Sequence, residues 1–220
     1  MTALFVTATG TDTGKTFVTA ALARALRAQG RSVGALKPVI SGFAMDLLTD
    51  SDTGVLLAAT GQALSAENAA TISPWRFSAP LSPDMAAARE GRAVDFDAVL
   101  AFCRSQIAGR QDVLLIEGVG GVMVPLDDSH TVLDWMAALE LPVLLVAGSY
   151  LGAISHTLTA LDALGRRRLG VTAVIISETP GSAVDLMETA ATVQRFASAI
   201  PVLTLPRAEV AVLEDLASRL

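Results

Sequence analysis

Three runs of this chain are apolar at every position rather than at every second one: Ala3-Leu4-Phe5-Val6, Val113-Leu114-Leu115-Ile116 and Val143-Leu144-Leu145-Val146. A strand with water on one face alternates; one that does not alternate is buried on both faces. Helix-period segments separate these runs. In residues 16–29, Val18, Ala21, Leu22, Ala25 and Leu26 share one face, and Gly30 stops the turn. The pattern predicts an α/β fold, a three-layer sandwich whose mostly parallel sheet is covered by helices on both sides. Further strands are expected at 32–36, 171–177 and 201–205. Further helices are expected after Asp50 or Ser51 as far as Ala59, where Gly61 stops the turn, at 96–108, at 132–139 behind a Thr131/Asp134 cap, at 153–164, at 183–198 and at the C-terminal end. Residues 72–83, with Pro74, Pro80 and Pro83, read as an extended loop leading to a short helix that ends at Arg89. No repeat, low-complexity tract or linker interrupts the order, so residues 1–220 are expected to form a single domain.

The first strand runs into Gly10-Thr11-Asp12-Thr13-Gly14-Lys15-Thr16, and a helix follows. A strand, a glycine-rich turn and a helix opening at Lys-Thr form a phosphate-binding loop. Successive N–H groups and the positive helix end converge on the anion, Lys15 adds a mobile charge, and the Thr16 hydroxyl can ligate Mg2+. The usual first glycine of such a loop falls at Thr9, with Gly10 one place later, so the loop is a variant. The competing reading is an ordinary turn with a chance Gly-Lys-Thr.

In sheets of this kind ligands sit beyond the carboxyl ends of the strands. The residues there are 37–42, 117–121, 148–155, Ser177-Glu178 and Pro206-Arg207. Glu117 ends a buried strand, where nucleotide-hydrolysing enzymes hold a Mg2+-directed carboxylate; the alternative is a strand-end carboxylate paired with a lysine. Asp52 is either a second metal carboxylate or a first-turn residue favoured by the helix dipole. Lys37, held by Pro38, is either a surface lysine or a second positive charge facing the phosphate loop. The latter implies a further anion in the site.

Charge and composition exclude other classes. The net charge is −6, and Arg166-Arg167-Arg168 is the one basic cluster, closing a helix; no nucleic-acid partner is expected. Hydrophobic residues make up 52%, yet the longest apolar run, 141–151, is too short to span a bilayer and contains Pro142 and Gly148. No membrane partner is expected. The first apolar run leads directly into the phosphate loop, so it reads as structure and not as a signal peptide. Lone Cys103 excludes an internal disulfide, reads as a core residue and fits a reducing cytoplasm.

Together these segments resemble the dethiobiotin synthetases over residues 2–206. The resemblance is carried by Val6 through Thr16, by Leu36-Lys37-Pro38-Val39-Ile40-Ser41-Gly42, by Ser51-Asp52 and by Ala79-Pro80-Leu81-Ser82-Pro83. It continues in Glu117-Gly118-Val119-Gly120-Gly121, Pro125-Leu126 and Leu151-Gly152-Ala153-Ile154-Ser155-His156. It implies a P-loop NTPase fold and ATP- and Mg2+-dependent ring closure of 7,8-diaminononanoate with CO2, through a carbamate and a carbamic-phosphoric mixed anhydride. It places Thr16, Asp52 and Glu117 on Mg2+. Lys15, Lys37 and Asp12 fall at the reacting groups, and residues Thr11 to Thr16 with Ser177 and Pro206 fall on ATP. Ser41, Pro80, Leu81 and Ser82 fall on the diamine. It also implies a homodimer, with the substrate carboxylate held by Gly152, Ala153 and Ser155 of the neighbouring subunit. The departures are Ala8 where a glycine is usual, Asp12 where some members carry glutamate, Asp84 where a histidine is common, and Ser177 where an asparagine commonly reads adenine. Two other classes share the sheet: switch ATPases of the partitioning or septum-site kind, which usually carry an extra lysine inside the loop, and non-catalytic regulatory domains.

Overall fold

The computed structural model describes residues 2–207 and 209–220. In chain order its elements are β1 (Thr2–Ala8), α1 (Lys15–Ala28), β2 (Val33–Leu36) and β3 (Val39–Ser41), then a 3-10 turn (Met45–Asp50). There follow α2 (Asp52–Thr60), α3 (Ala66–Ile72), β4 (Trp75–Phe77), α4 (Pro83–Arg89) and α5 (Phe96–Ile107). The chain closes with β5 (Val113–Glu117), α6 (Val132–Leu139), β6 (Val143–Gly148), α7 (Ala153–Arg166), β7 (Val171–Ser177), α8 (Leu186–Phe196), β8 (Val202–Leu205) and α9 (Ala211–Ala217).

Six strands form one sheet in the order β2-β5-β1-β6-β7-β8, every pair parallel. β5 and β6 are buried at every residue, as their unbroken apolar sequences require of strands covered on both faces. On one face Phe5 of β1 meets Trp135 of α6 edge-to-face, ring centroids 5.0 Å apart. α1 packs against α2 and α9, and α7 against α8.

The expected caps are present. Ser51 opens α2 by accepting the Gly54 N–H, and Gly61 closes that helix at φ 74°. Thr131 donates its N–H and its hydroxyl to Asp134 at 2.9 and 2.8 Å at the start of α6. The arginine triplet does close a helix: Arg166 pairs with Asp162 and Arg167 with Asp134. Cys103 is buried, and burial pushes its thiol up to about 12.

The expected loop at 72–83 is more ordered than its prolines suggest. Trp75–Phe77 forms β4 and pairs in parallel with β3, and α3 precedes it. A three-residue strand has no readable period, and its partner lies more than thirty residues earlier.

Candidate active site

The site grows from the end of β1. The Thr9 N–H is tied to the Val146 carbonyl at 2.9 Å, after which the chain turns through two left-handed residues, Asp12 (φ 56°) and Gly14 (φ 95°). Aspartate tolerates that conformation better than most side chains, and glycine adopts it freely. Gly14 is also crowded: a Cβ there would stand 3.1 Å from the Ser177 hydroxyl. Inside the turn the Thr13 hydroxyl donates to the Gly10 carbonyl at 3.3 Å, and Lys15 Nζ folds back onto the same oxygen at 3.0 Å. Lys15 is 7% exposed. Burial, and then the neighbouring Lys37 charge, lower its pKa to about 8; Glu117, Asp52 and Asp12 oppose that shift.

Sheet register assembles the rest. Val6 pairs with Glu117 and Leu36 with Ile116, so the ends of β1, β5 and β2 lie side by side. Lys37, the residue after β2, and Thr16, in the first turn of α1, both reach Glu117. Thr16 Oγ1 donates to Glu117 Oε1 at 2.8 Å and Lys37 Nζ donates to the same oxygen at 2.6 Å. Lys37 also pairs with Asp52 Oδ2 at 2.9 Å and donates to the Gly118 carbonyl at 3.0 Å. Lys37 is 2% exposed and Glu117 0%. Burial works against the Lys37 charge, but Glu117 and Asp52 outweigh it and hold its pKa above the ordinary lysine value. At Asp52 burial likewise opposes ionisation; Lys37, helped by the Thr16 hydroxyl and Lys15, prevails and keeps the carboxyl below its usual range. The second positive charge expected from sequence is therefore no surplus: two carboxylates neutralise it. Of the two sequence readings of Glu117, the lysine-paired carboxylate is the one this geometry displays.

The donor set fits a divalent cation. Glu117 Oε2 is buried and has no hydrogen-bond partner, an arrangement that costs about 1–3 kcal/mol if nothing pairs with it. The Thr16 hydroxyl and the partly exposed Asp52 carboxylate complete a hard oxygen set. Among the described residues no cluster of three or more His, Cys, Asp or Glu exists, so nucleotide and water oxygens would supply the other ligands.

α2 carries Asp52 into place through a tight contact. Ser51 Oγ donates to the Leu48 carbonyl at 2.7 Å, and a Cβ added at Gly54 would collide with that same carbonyl. Gly54→Ala is expected to cost about 2 kcal/mol or more, several degrees in melting temperature, and to weaken Mg2+ dependence by displacing Asp52. Unchanged melting and Mg2+ curves would remove α2 from the site.

A cavity of about 800 Å³ opens above these groups. Thr11, Asp12, Gly14, Lys15 and Thr16 form its floor, with Lys37, Ser41 and Asp52 beside them. Pro80, Leu81 and Ser82 form a wall, as the sequence reading expects. Ser41 Oγ is buried without a partner. Ile40 and Val119, within the strand-end segments singled out from sequence, line the cavity too; so do Phe17 and Val124, which the sequence reading passed over, and Asp50, which it considered only as a helix cap. Thr13 and Glu117 are buried and do not line the cavity themselves. Ser177 stands against Gly14, in register with Leu205, which precedes Pro206. Gly152, Ala153 and Ser155 are not brought to this cavity within one chain. They begin α7, where Gly152 (φ 99°) is the cap and the neighbouring Leu151 is 91% exposed.

A family model described as an AAA domain matches residues 2–217. The chain is 49% identical over 202 residues to the ATP-dependent dethiobiotin synthetase BioD of Acidiphilium cryptum, covering 91% of each. It is 54% identical over 188 residues to that of Methylobacterium nodulans, covering 83% of each, and 48% identical over 209 residues to that of Caulobacter vibrioides, covering 94% of each. In fold it is similar to the septum site-determining protein MinD of Pyrococcus horikoshii, solved with Mg-ADP (TM-score 0.53, 17% identity, 93% of this chain and 81% of that one). It is similar also to HypB of Helicobacter pylori, solved with nickel (TM-score 0.57, 15% identity, 100% of this chain and 85% of that one).

Proposed function

The chain belongs to the ATP-dependent dethiobiotin synthetase family and is an ATP-dependent ligase of biotin biosynthesis; from that premise we propose that it joins 7,8-diaminononanoate to CO2 and closes the cyclic urea of dethiobiotin. The observation that carries the reading is the pairing of two buried lysines, Lys15 and Lys37, beside one phosphate loop and one 800 Å³ cavity. They are the only lysines in the 220 residues.

One amine of the substrate attacks CO2 and loses a proton, giving a carbamate. A carbamate oxygen attacks the γ-phosphorus of ATP, ADP leaves, and a carbamic-phosphoric anhydride forms. The second amine attacks the carbonyl carbon, phosphate leaves, and the ring closes. Lys15 follows the transferring phosphoryl group and Lys37 the carbamate, stabilising charge as it develops. The unpartnered Ser41 hydroxyl supports a contact to the carbamate or amine end, and the exposed Asp12 carboxylate, at the cavity floor, accepts from an amine. Thr16, Asp52 and Glu117 would hold Mg2+, which supplies neutralising charge on the phosphate oxygens when bound. Pro80, Leu81 and Ser82 would confine the alkyl chain.

The base of ATP would lie at Ser177 and Pro206. A serine hydroxyl does not match the paired donor and acceptor of adenine as an asparagine amide does, so looser base discrimination is expected. Gly152, Ala153 and Ser155, remote from the cavity of their own chain, would serve the substrate carboxylate across a homodimer, a mass that sedimentation checks. The negative net charge and lone buried cysteine support a cytoplasmic enzyme without nucleic-acid or membrane partners.

Purified protein should release ADP and phosphate only when the diamine and bicarbonate are both present, with CTP and GTP tolerated in the same assay. Equal nucleotide turnover without the diamine would sink the ligase chemistry proposed here; strict ATP preference would sink the role given to Ser177.

A further inference from the structure

Lys37 Nζ makes three polar contacts: Glu117 Oε1 at 2.6 Å, Asp52 Oδ2 at 2.9 Å and the Gly118 carbonyl at 3.0 Å. An ammonium has three N–H donors. None is left for a substrate oxygen. The two carboxylates it holds are the two that the site offers to a divalent ion, and the Thr16 hydroxyl commits its own proton to the same Glu117 oxygen.

We infer that Lys37 is a stand-in cation for the metal site: without a divalent ion its ammonium neutralises Asp52 and Glu117, and binding of the ion displaces it toward the substrate oxygens. The inference rests on the reading of Asp52 and Glu117 as metal carboxylates. Its logic is electrostatic. Two neighbouring carboxylates, one of them fully buried, repel each other unless a cation lies between them. A univalent ammonium meets that need, and a divalent ion meets it better. Once the ion holds both carboxylates, a retained Lys37 would face a like charge, and its donors turn to the nearest anion. The device imposes an order: Lys37 is withheld from the carbamate until metal, and the nucleotide it accompanies, is loaded. It also makes the metal alone bind weakly, because it must first evict a cation.

The test uses Mn2+ alone, without nucleotide, followed by electron paramagnetic resonance. Lys37→Met keeps the side-chain length and removes the charge. It is expected to bind Mn2+ about tenfold or more tightly than wild type. Adding Glu117→Gln to Lys37→Met should abolish the gain. Equal or weaker binding by Lys37→Met, with Glu117→Gln alone still weakening Mn2+, would overturn the stand-in role and leave the metal assignment standing. Mn2+ binding indifferent to both substitutions would overturn the metal assignment and the inference with it. Should Lys37→Met fail to fold, wild-type protein labelled with 15N at lysine Nζ answers the same question. Only two side-chain ammonium signals exist, those of Lys15 and Lys37. Saturating Mg2+ is expected to shift the Lys37 signal and speed its exchange with water; a signal that stays put overturns the inference.

Discussion

Lys15→Met is expected to cut ATP-dependent turnover by about a thousandfold and, unusually for a buried substitution, to raise the melting temperature at pH 7. The two effects have one source. Burial and the Lys37 charge lower the Lys15 pKa from 10.5 to about 8. Below pH 8 the lysine is charged in both folded and unfolded chains, and the folded state carries the full cost of holding that charge out of water. As pH rises from about 8 toward 10.5 the folded chain gives up its proton first, so this cost fades and stability gained from that group rises. Methionine removes the cost at every pH and removes the catalytic charge with it. Nucleotide phosphates favour the ammonium form, so binding to the wild type takes up a proton above pH 8, and affinity falls as pH increases through that region. Calorimetric titration in two buffers of different ionisation heat measures that uptake. Turnover within tenfold of wild type, or an unchanged pH step in Lys15→Met, would contradict the assignment.

Glu117→Gln is expected to lower turnover about a hundredfold at limiting Mg2+ while the protein remains folded. The amide oxygen can still accept from Thr16 and Lys37, so the local hydrogen bonds survive; what disappears is a charged oxygen ligand in a fully buried position. Asp52→Asn should act in the same direction but less strongly, because the Asp52 side chain is 40% exposed and water can replace part of what the carboxylate did. Steady-state rates across a Mg2+ titration separate a metal defect, which excess ion partly rescues, from a general loss. Near-normal rates for both variants at limiting Mg2+ would show that these carboxylates do not hold the metal.

The parts of the molecule legible in its sequence are those where the signal is local. Unbroken apolar runs announced β5 and β6 as doubly covered strands. Asp50-Ser51 and Thr131 announced the starts of α2 and α6, and Gly61 the end of α2, because a cap is a bond between near neighbours; the structure chose Ser51 of the first pair. The glycine-rich turn before Lys15-Thr16 marked the phosphate loop for the same reason. Where the signal was non-local, the reading was incomplete. β4 is three residues long and acquires its structure from β3, so nothing within 72–83 reveals it. Phe17 and Val124 look like ordinary helix and loop residues until the fold turns them toward one cavity.

The sequence by itself determined the class of chain, the phosphate loop and the identity of the charged groups available to it, since helix period, strand burial and loop chemistry are properties of short segments. The tertiary structure alone decided what those charges do to one another. Lys37 and Glu117 are eighty residues apart, and only the parallel register of β2 on β5 sets them 2.6 Å from contact atom to contact atom. A positive charge counted as free in the sequence is thereby bound to two carboxylates. A single charge and its sign are written in the residue; a Coulombic partner and its distance exist only once the sheet has formed.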